Sequence, residues 1–309
     1  FSIGYDPSAD TLHSACYDFL MSEARATSYF AVATRQAPKK HWNSLSRALS
    51  RQEGYVGPLS WTGTMFEYLM PHLLLPAGQD TFLSEAVQYA IWAQRRRAAQ
   101  AGVPWGISES AYFAFDAQLN YQYKANGVQK LGVKEGLDRE LVLSPYSTFL
   151  ALPFVPQAAM KNLHRLQQMG LYGVYGFYEA VDCTPSRAPQ PQICRSYMAH
   201  HVGMSIAAGC NAVFEGRMQK RFMKGAQMRC AREFLEEQLE EECVVNRKIR
   251  GSSPEKGSEQ QFCQEYDRIS PQSPRCMLYS NGDVHLLSTD CGAAQLNFRG
   301  LSILRPGED

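Results

Sequence analysis

Long apolar runs are missing from this sequence. No stretch approaches the roughly 20 consecutive apolar residues that a membrane-spanning helix needs, so no segment is expected to enter a bilayer. An excess of either charge is missing too: 31 Lys and Arg face 30 Asp and Glu, for a formal net charge of +1. A polyanion would meet no favourable field, which argues against a nucleic-acid partner. The nine cysteines, at positions 16, 183, 194, 210, 230, 243, 263, 276 and 291, include no C-x-x-C pair. An odd number without that spacing reads as reduced thiols in a cytoplasmic compartment, not as a disulfide framework or a zinc site. A signal peptide and an initiator Met are also lacking; the chain opens at Phe1-Ser-Ile-Gly, as a segment of a longer protein would.

What is present is an ordinary globular composition. The 309 residues are 45% hydrophobic and 20% charged, enough for a sizeable core in one large domain or two smaller ones. Aromatics reach 11%, with 16 Tyr and 4 Trp. Aromatic faces stack on sugar rings, although most of them fill cores.

Periodicity predicts a mainly α protein. Leu12, Cys16, Phe19, Glu23, Ala26 and Phe30 alternate in steps of four and three, which predicts a helix over 10–37 ended by Pro38. Further helices are expected over 62–75, over 80–101 with Asp80 or Thr81 as cap and Gly102 beyond, and near 136–151, 156–169, 197–214 and 216–242. Residues 103–135 read as loops and short helices, and the three prolines of 183–195 as a loop. Apolar residues thin out over 246–275, a linker. Beyond it the period becomes two, and Asn281-Gly282 reads as a two-residue turn in a hairpin, the start of an incomplete β domain over 276–309. The first domain then spans 1–245.

Cleavage of a glycosidic bond usually takes two carboxyl groups. Four carboxylates stand where an inert protein would not place them. Glu23 sits on the apolar stripe just described, where a lone charge costs several kcal/mol unless paired or protonated; Arg25 and Arg35 are the candidate partners. Glu109 follows the helix-breaking Pro104 and Gly106, beside Trp105; the plainer reading is a helix start capped by Ser108 or Ser110. Glu67 and Glu179 lie in apolar and aromatic runs and read more plainly as hydrogen-bonded core carboxylates. His200 and His201 are adjacent, with no third ligand at a metal spacing, so no metal is expected, and sugar binding or a satisfied core histidine is.

The blocks YDFLMSEARATSYFAVATRQAPKKHWNSLSR, LSWTGTMFEYLMP, GVPWGISESAY, LNYQYKANGVQKLGVKEGL, LSPYSTFLAL, YGFYEAVDCTPSR and RSYMAHHVGMS resemble, in order, the glycoamylase-like domain of bacterial cyclic β-1,2-glucan synthases. The tail resembles the opening of the phosphorylase-like module that follows in that family. The resemblance implies an (α/α)6 barrel acting on β-1,2-glucan, no cofactor, and a place within a larger inner-membrane enzyme, on the cytoplasmic side, beside transferase and phosphorylase-like domains. It implies retaining transglycosylation that closes linear chains into rings, with Glu109 as nucleophile and Glu23 as acid/base, and Glu67 and Glu179 in reserve. Trp61, Trp105, Tyr112, Tyr121, Tyr123, His200 and His201 would line the glucan cleft. Val202 and Phe113 depart from the family's Gln and Asn. The alternatives are an endo-β-1,2-glucanase on the same fold and a noncatalytic glucan-holding module.

Overall fold

The computed structural model describes residues 1–238, 274–281, 283–299 and 301–304. They fall into two units, Phe1–Phe113 with Tyr123–Pro254, and Ala114–Gln122 with Glu255–Asp309.

The first unit is helical, with small sheets. Its helix Phe82–Ala101 forms where the sequence predicts it. Thr81 accepts from the Ser84 amide, the Ser84 hydroxyl faces the Thr81 amide in return, and Gly102, at φ +70°, ends the helix in the left-handed region. Phe82, Ala86, Val87, Ala90 and Ala93 bury one side of it. The helix Pro145–Leu150 packs against Met65–Leu69, Pro156–Leu166 and Ala199–Val213. A three-stranded sheet, Gln192–Cys194, Ala180–Asp182 and Val142–Leu143, adjoins them.

The helix expected over 10–37 is shorter, Arg25–Ala33. Residues 5–12 form a small antiparallel pair, and Leu12 is exposed. Phe19 and Met21 instead bridge in parallel to Ser46 and Ser60. Backbone pairing with distant segments overrides a helical spacing that never became a buried face. The helix over 62–75 tightens to a 3-10 turn at Met70–Leu73, where Pro71 lacks an amide hydrogen. Within 103–135 the chain forms strands Ser110–Phe115 and Tyr121–Lys124 rather than short helices. The segment 136–151 holds a strand as well as a helix, and 183–195 contributes the strand Gln192–Cys194. The helix expected over 216–242 is divided into Arg217–Phe222, Ala226–Cys230 and a 3-10 turn at Arg232–Leu235, and 239–242 lie outside the described residues. Gly225 separates the first two.

In the second unit Cys276–Ser280, Val284–Thr289, Ala294–Phe298 and Leu301–Leu304 form a four-stranded antiparallel meander. The expected hairpin is its first pair, closed by the Asn281 amide donating to the Val284 carbonyl at 3.2 Å. Its turn therefore centres one residue later than expected, with Asp283 in it; Gly282 lies outside the described residues. So does the expected linker, except Pro274 and Arg275. Among the described residues no helix is long and apolar enough to cross a membrane.

Candidate active site

The loop after Gly102 carries Glu109 and is pinned from several sides. Gly106 takes φ +126°, and a Cβ there would stand 2.7 Å from the Ser147 hydroxyl oxygen. Buried Gln94 accepts from the Ile107 amide and donates to its carbonyl, each at 2.8 Å. The Ser108 hydroxyl accepts from the Phe66 amide and lies 2.9 Å from the Tyr146 hydroxyl, which donates to the Glu109 carbonyl at 2.9 Å. Ile107 bridges to Leu143, whose strand pairs with Val181, so the same sheet brings Glu179 alongside.

Glu23 arrives from another direction. It precedes the helix Arg25–Ala33, half-buried, and accepts from the Ser22 hydroxyl at 3.2 Å. Arg25 is no partner for it: the guanidinium is buried and donates to the main-chain carbonyls of Leu20 and Tyr68. Tyr17 is hydrogen-bonded to Glu23 and feels the charge of Glu109. Burial first, then the charge of and hydrogen bond to Glu23, then the charge of Glu109, raise the Tyr17 pKa. Burial likewise raises Glu109; the Tyr123 hydroxyl bond opposes this, the Glu23 charge adds to it, and His201 opposes it.

Behind Glu109 a polar chain runs from the exposed Tyr123 into the core. The Tyr123 hydroxyl is hydrogen-bonded to Glu109 and lies 3.3 Å from His201 Nε2. His201 Nδ1 lies 2.8 and 2.9 Å from the two Glu179 oxygens, one of which also accepts from the Ala111 amide. The Tyr146 ring stacks on His201 at 3.7 Å. His201 and Glu179 are 3% and 4% exposed, so they reach substrate only through Tyr123. His200 stands at the exposed rim, 4.0 Å from His201 between ring centroids. Trp61 is 58% exposed, beside the Met21–Ser60 bridge and 6.3 Å from the Phe19 ring, an open aromatic face on a segment paired with the one that leads to Glu23.

Other expected cleft residues stand elsewhere. Trp105 is a core side chain, 6% exposed, its backbone held by Asn162. Tyr112 belongs to an ion-pair cluster: Lys124 and Arg187 lie 4.4 and 4.6 Å from its ring, and Arg187 pairs with Asp182 and Glu140. Tyr121 lies in the second unit, against Phe115. Glu67 is buried, and both oxygens are taken, by the Thr62 and Thr64 amides and the Ser60 and Thr64 hydroxyls. It caps its own helix and orients the 60–64 turn. Tyr17, Gln94 and Tyr146 escaped the sequence reading. Gln94 carried a usable signal, a polar residue on the apolar face of a helix. A groove of about 900 Å3 between Phe82–Ala101 and Pro156–Leu166 has Arg95, Lys161 and Arg165 in its wall but no carboxylate, and so lacks the groups for acid–base cleavage.

A family model described as "Putative glucoamylase" matches residues 17–226, which hold every residue of this site. The chain belongs to the glycoamylase family. This glycoamylase-family chain is 38% identical, over 98% of its length, to the cyclic β-(1,2)-glucan synthase NdvB of Rhizobium meliloti, and spans 11% of that protein. Among solved structures, a "putative glucoamylase" from Bacteroides caccae superposes with a TM-score of 0.55 at 18% identity, over 76% of this chain and 59% of its own. The endo-β-1,2-glucanase of Chitinophaga pinensis superposes at 0.55 and 16% identity, over 76% and 58%. At these identities the likeness is one of fold. The chain thus spans less than two thirds of each of these relatives.

Proposed function

We propose that this glycoamylase-family chain acts on β-1,2-glucan by retaining transglycosylation, closing linear chains into rings as part of a longer synthase. The observation that carries the reading is the nearness of Glu23 and Glu109, which come from separate segments and whose charges both act on the Tyr17 hydroxyl. The identity to a cyclic glucan synthase and the fold shared with a β-1,2-glucanase support the substrate.

In this mechanism Glu23 gives its proton to the departing glycosidic oxygen while Glu109 attacks the anomeric carbon, forming a glycosyl-enzyme ester. Glu23, now a base, takes the proton from a hydroxyl at the nonreducing end of the same chain as that oxygen attacks the ester and frees Glu109. Ring closure wins over hydrolysis when the chain end is held close at high effective concentration. The exposed Trp61 face offers a sugar platform on the segment paired with the one that leads to Glu23. Residues 1–245 are read as the family's (α/α)6 barrel domain and 276–309 as the opening of a phosphorylase-like β domain, the transferase part lying elsewhere in the same longer protein.

The test is mass spectrometry of products from linear β-1,2-glucan with the chain, Glu23→Gln and Glu109→Gln. Products lighter by one water than linear chains of equal length, lost in both variants, are the expected result. Linear fragments alone would make it a glucanase. Wild-type turnover that survives in Glu109→Gln would sink the assignment of the nucleophile.

A further inference from the structure

The chain Glu179–His201–Tyr123–Glu109 has more order than substrate binding requires. His201 lies on the 15-residue helix Ala199–Val213, Tyr123 on the strand Tyr121–Lys124, and Glu179 just before the strand Ala180–Asp182. Three elements converge to bury one imidazole between a carboxylate and a phenol. Both Glu179 oxygens face Nδ1, which fixes the ring and makes Nδ1–H the donor. The stacked Tyr146 ring prevents it from turning.

This leaves Tyr123 with one hydrogen and two neighbours, His201 Nε2 and the Glu109 carboxyl. We propose that Glu179, His201 and Tyr123 are positioning residues that hold Glu109, and that the direction of the Tyr123 hydroxyl hydrogen sets whether the Glu109 nucleophile is held and aimed. The inference rests on the reading of Glu109 as nucleophile and adds the device that readies it.

Two arrangements satisfy every group. In the first, His201 is an imidazolium. Nδ1–H donates to Glu179, Nε2–H donates to the Tyr123 oxygen, and the Tyr123 hydrogen points at the Glu109 carboxylate, which is ionised and aimed. In the second, the Nε2–H bond breaks as its proton passes to the Tyr123 oxygen, and the original Tyr123 proton passes to Glu109. His201 is then neutral, Nε2 accepts from Tyr123, and the Glu109 acid donates to the Tyr123 oxygen. The two forms hold the same protons and net charge, so no outside acid or base is needed. Of these two, only the first leaves Glu109 both ionised and held by the Tyr123 hydrogen. Loss of a proton to solvent turns the hydroxyl towards Nε2 and leaves ionised Glu109 facing a lone pair. The titratable groups that face this chain are Glu23 and Tyr17 on the substrate side, Tyr146 and His200 around the imidazole, and Cys194 beside Glu179.

The test uses the whole chain with nitrogen-15-labelled histidine. His201 signals, assigned by their loss in His201→Gln, are followed against pH in wild type, Glu109→Gln, Tyr123→Phe and the double variant. Glu109→Gln should shift the His201 Nε2 signal, and the same change on the Tyr123→Phe background should do far less. An effect of equal size on both backgrounds would show that the hydroxyl carries no coupling, and would overturn the proposal. Turnover on linear β-1,2-glucan is the second arm. Tyr123→Phe should lower kcat by roughly a hundredfold with KM within about twofold, since a misplaced nucleophile loses alignment rather than binding. Unchanged kcat also overturns the proposal. An active Glu109→Gln would instead remove the catalytic reading, while the nitrogen signals still decide whether the chain is coupled.

Discussion

Gln94 and Ile107 form a closed ring of two hydrogen bonds, each 2.8 Å, between a buried helix side chain and the backbone two residues before Glu109. Gln94→Leu keeps the volume and removes both bonds, leaving a buried amide and carbonyl without partners. Stability should fall by about 2–4 kcal/mol, read from urea unfolding. In the protein that remains folded, kcat should fall more than KM rises, because the loop that aims Glu109 loses its clamp.

Trp61 offers the opposite case. It is 58% exposed, so Trp61→Ala should leave the melting temperature nearly unchanged. Loss of a stacking face worth about 0.5–1.5 kcal/mol should raise KM for linear β-1,2-glucan by roughly threefold to tenfold, with kcat nearly preserved. A KM equal to wild type would place the glucan away from this face.

The turn that carries Trp61 is packed backbone to backbone. A Cβ on Gly127 would stand 1.7 Å from the Thr62 carbonyl oxygen, and one on Gly132 2.9 Å from the Gly63 amide nitrogen. No rotamer relieves such a contact, so Gly127→Ala should destabilise the protein by about 3 kcal/mol or more in urea unfolding. Gly209, which has nothing near its Cβ position, serves as the control; Gly209→Ala should be neutral or stabilising.

His72 should make stability depend on acid. It is 2% exposed, lies 3.0 Å by Nδ1 from the Leu75 carbonyl, and burial, aided by the Arg25 charge, lowers its pKa to about 3. The unfolded value is about 6.5. A folded pKa below the unfolded one means that the unfolded chain binds the proton first. The contribution is therefore complete above about 6.5 and is lost as pH falls towards 3. Urea midpoints measured from pH 7 to 4 should decline in wild type and decline less in His72→Gln, which retains a donor for Leu75.

The helix Phe82–Ala101 was legible because all its determinants are local: the Thr81 cap, the apolar stripe and Gly102. The segment before Arg25 was not, because Phe19 and Met21 pair with Ser46 and Ser60, and nothing in a helical spacing announces such partners. Glu23 was picked out for lying on a helix face, yet it stands ahead of the helix; the residue type was informative although the supposed setting was not. Trp105 shows the limit of local composition, since a tryptophan beside a helix break reads equally well as a platform and as core. Tyr17 reaches the Glu23 carboxylate, and Tyr146 the Glu109 main chain, through tertiary packing alone.

The close seating of Gly127 and Gly132 against Thr62 and Gly63 has a bearing on engineering. Two loops that interlock without intervening side chains share one shape, and neither can drift in length or sequence independently. A graft that brings a different 60–64 turn from a relative, to change how sugar meets Trp61, should succeed only when the matching 126–133 segment travels with it.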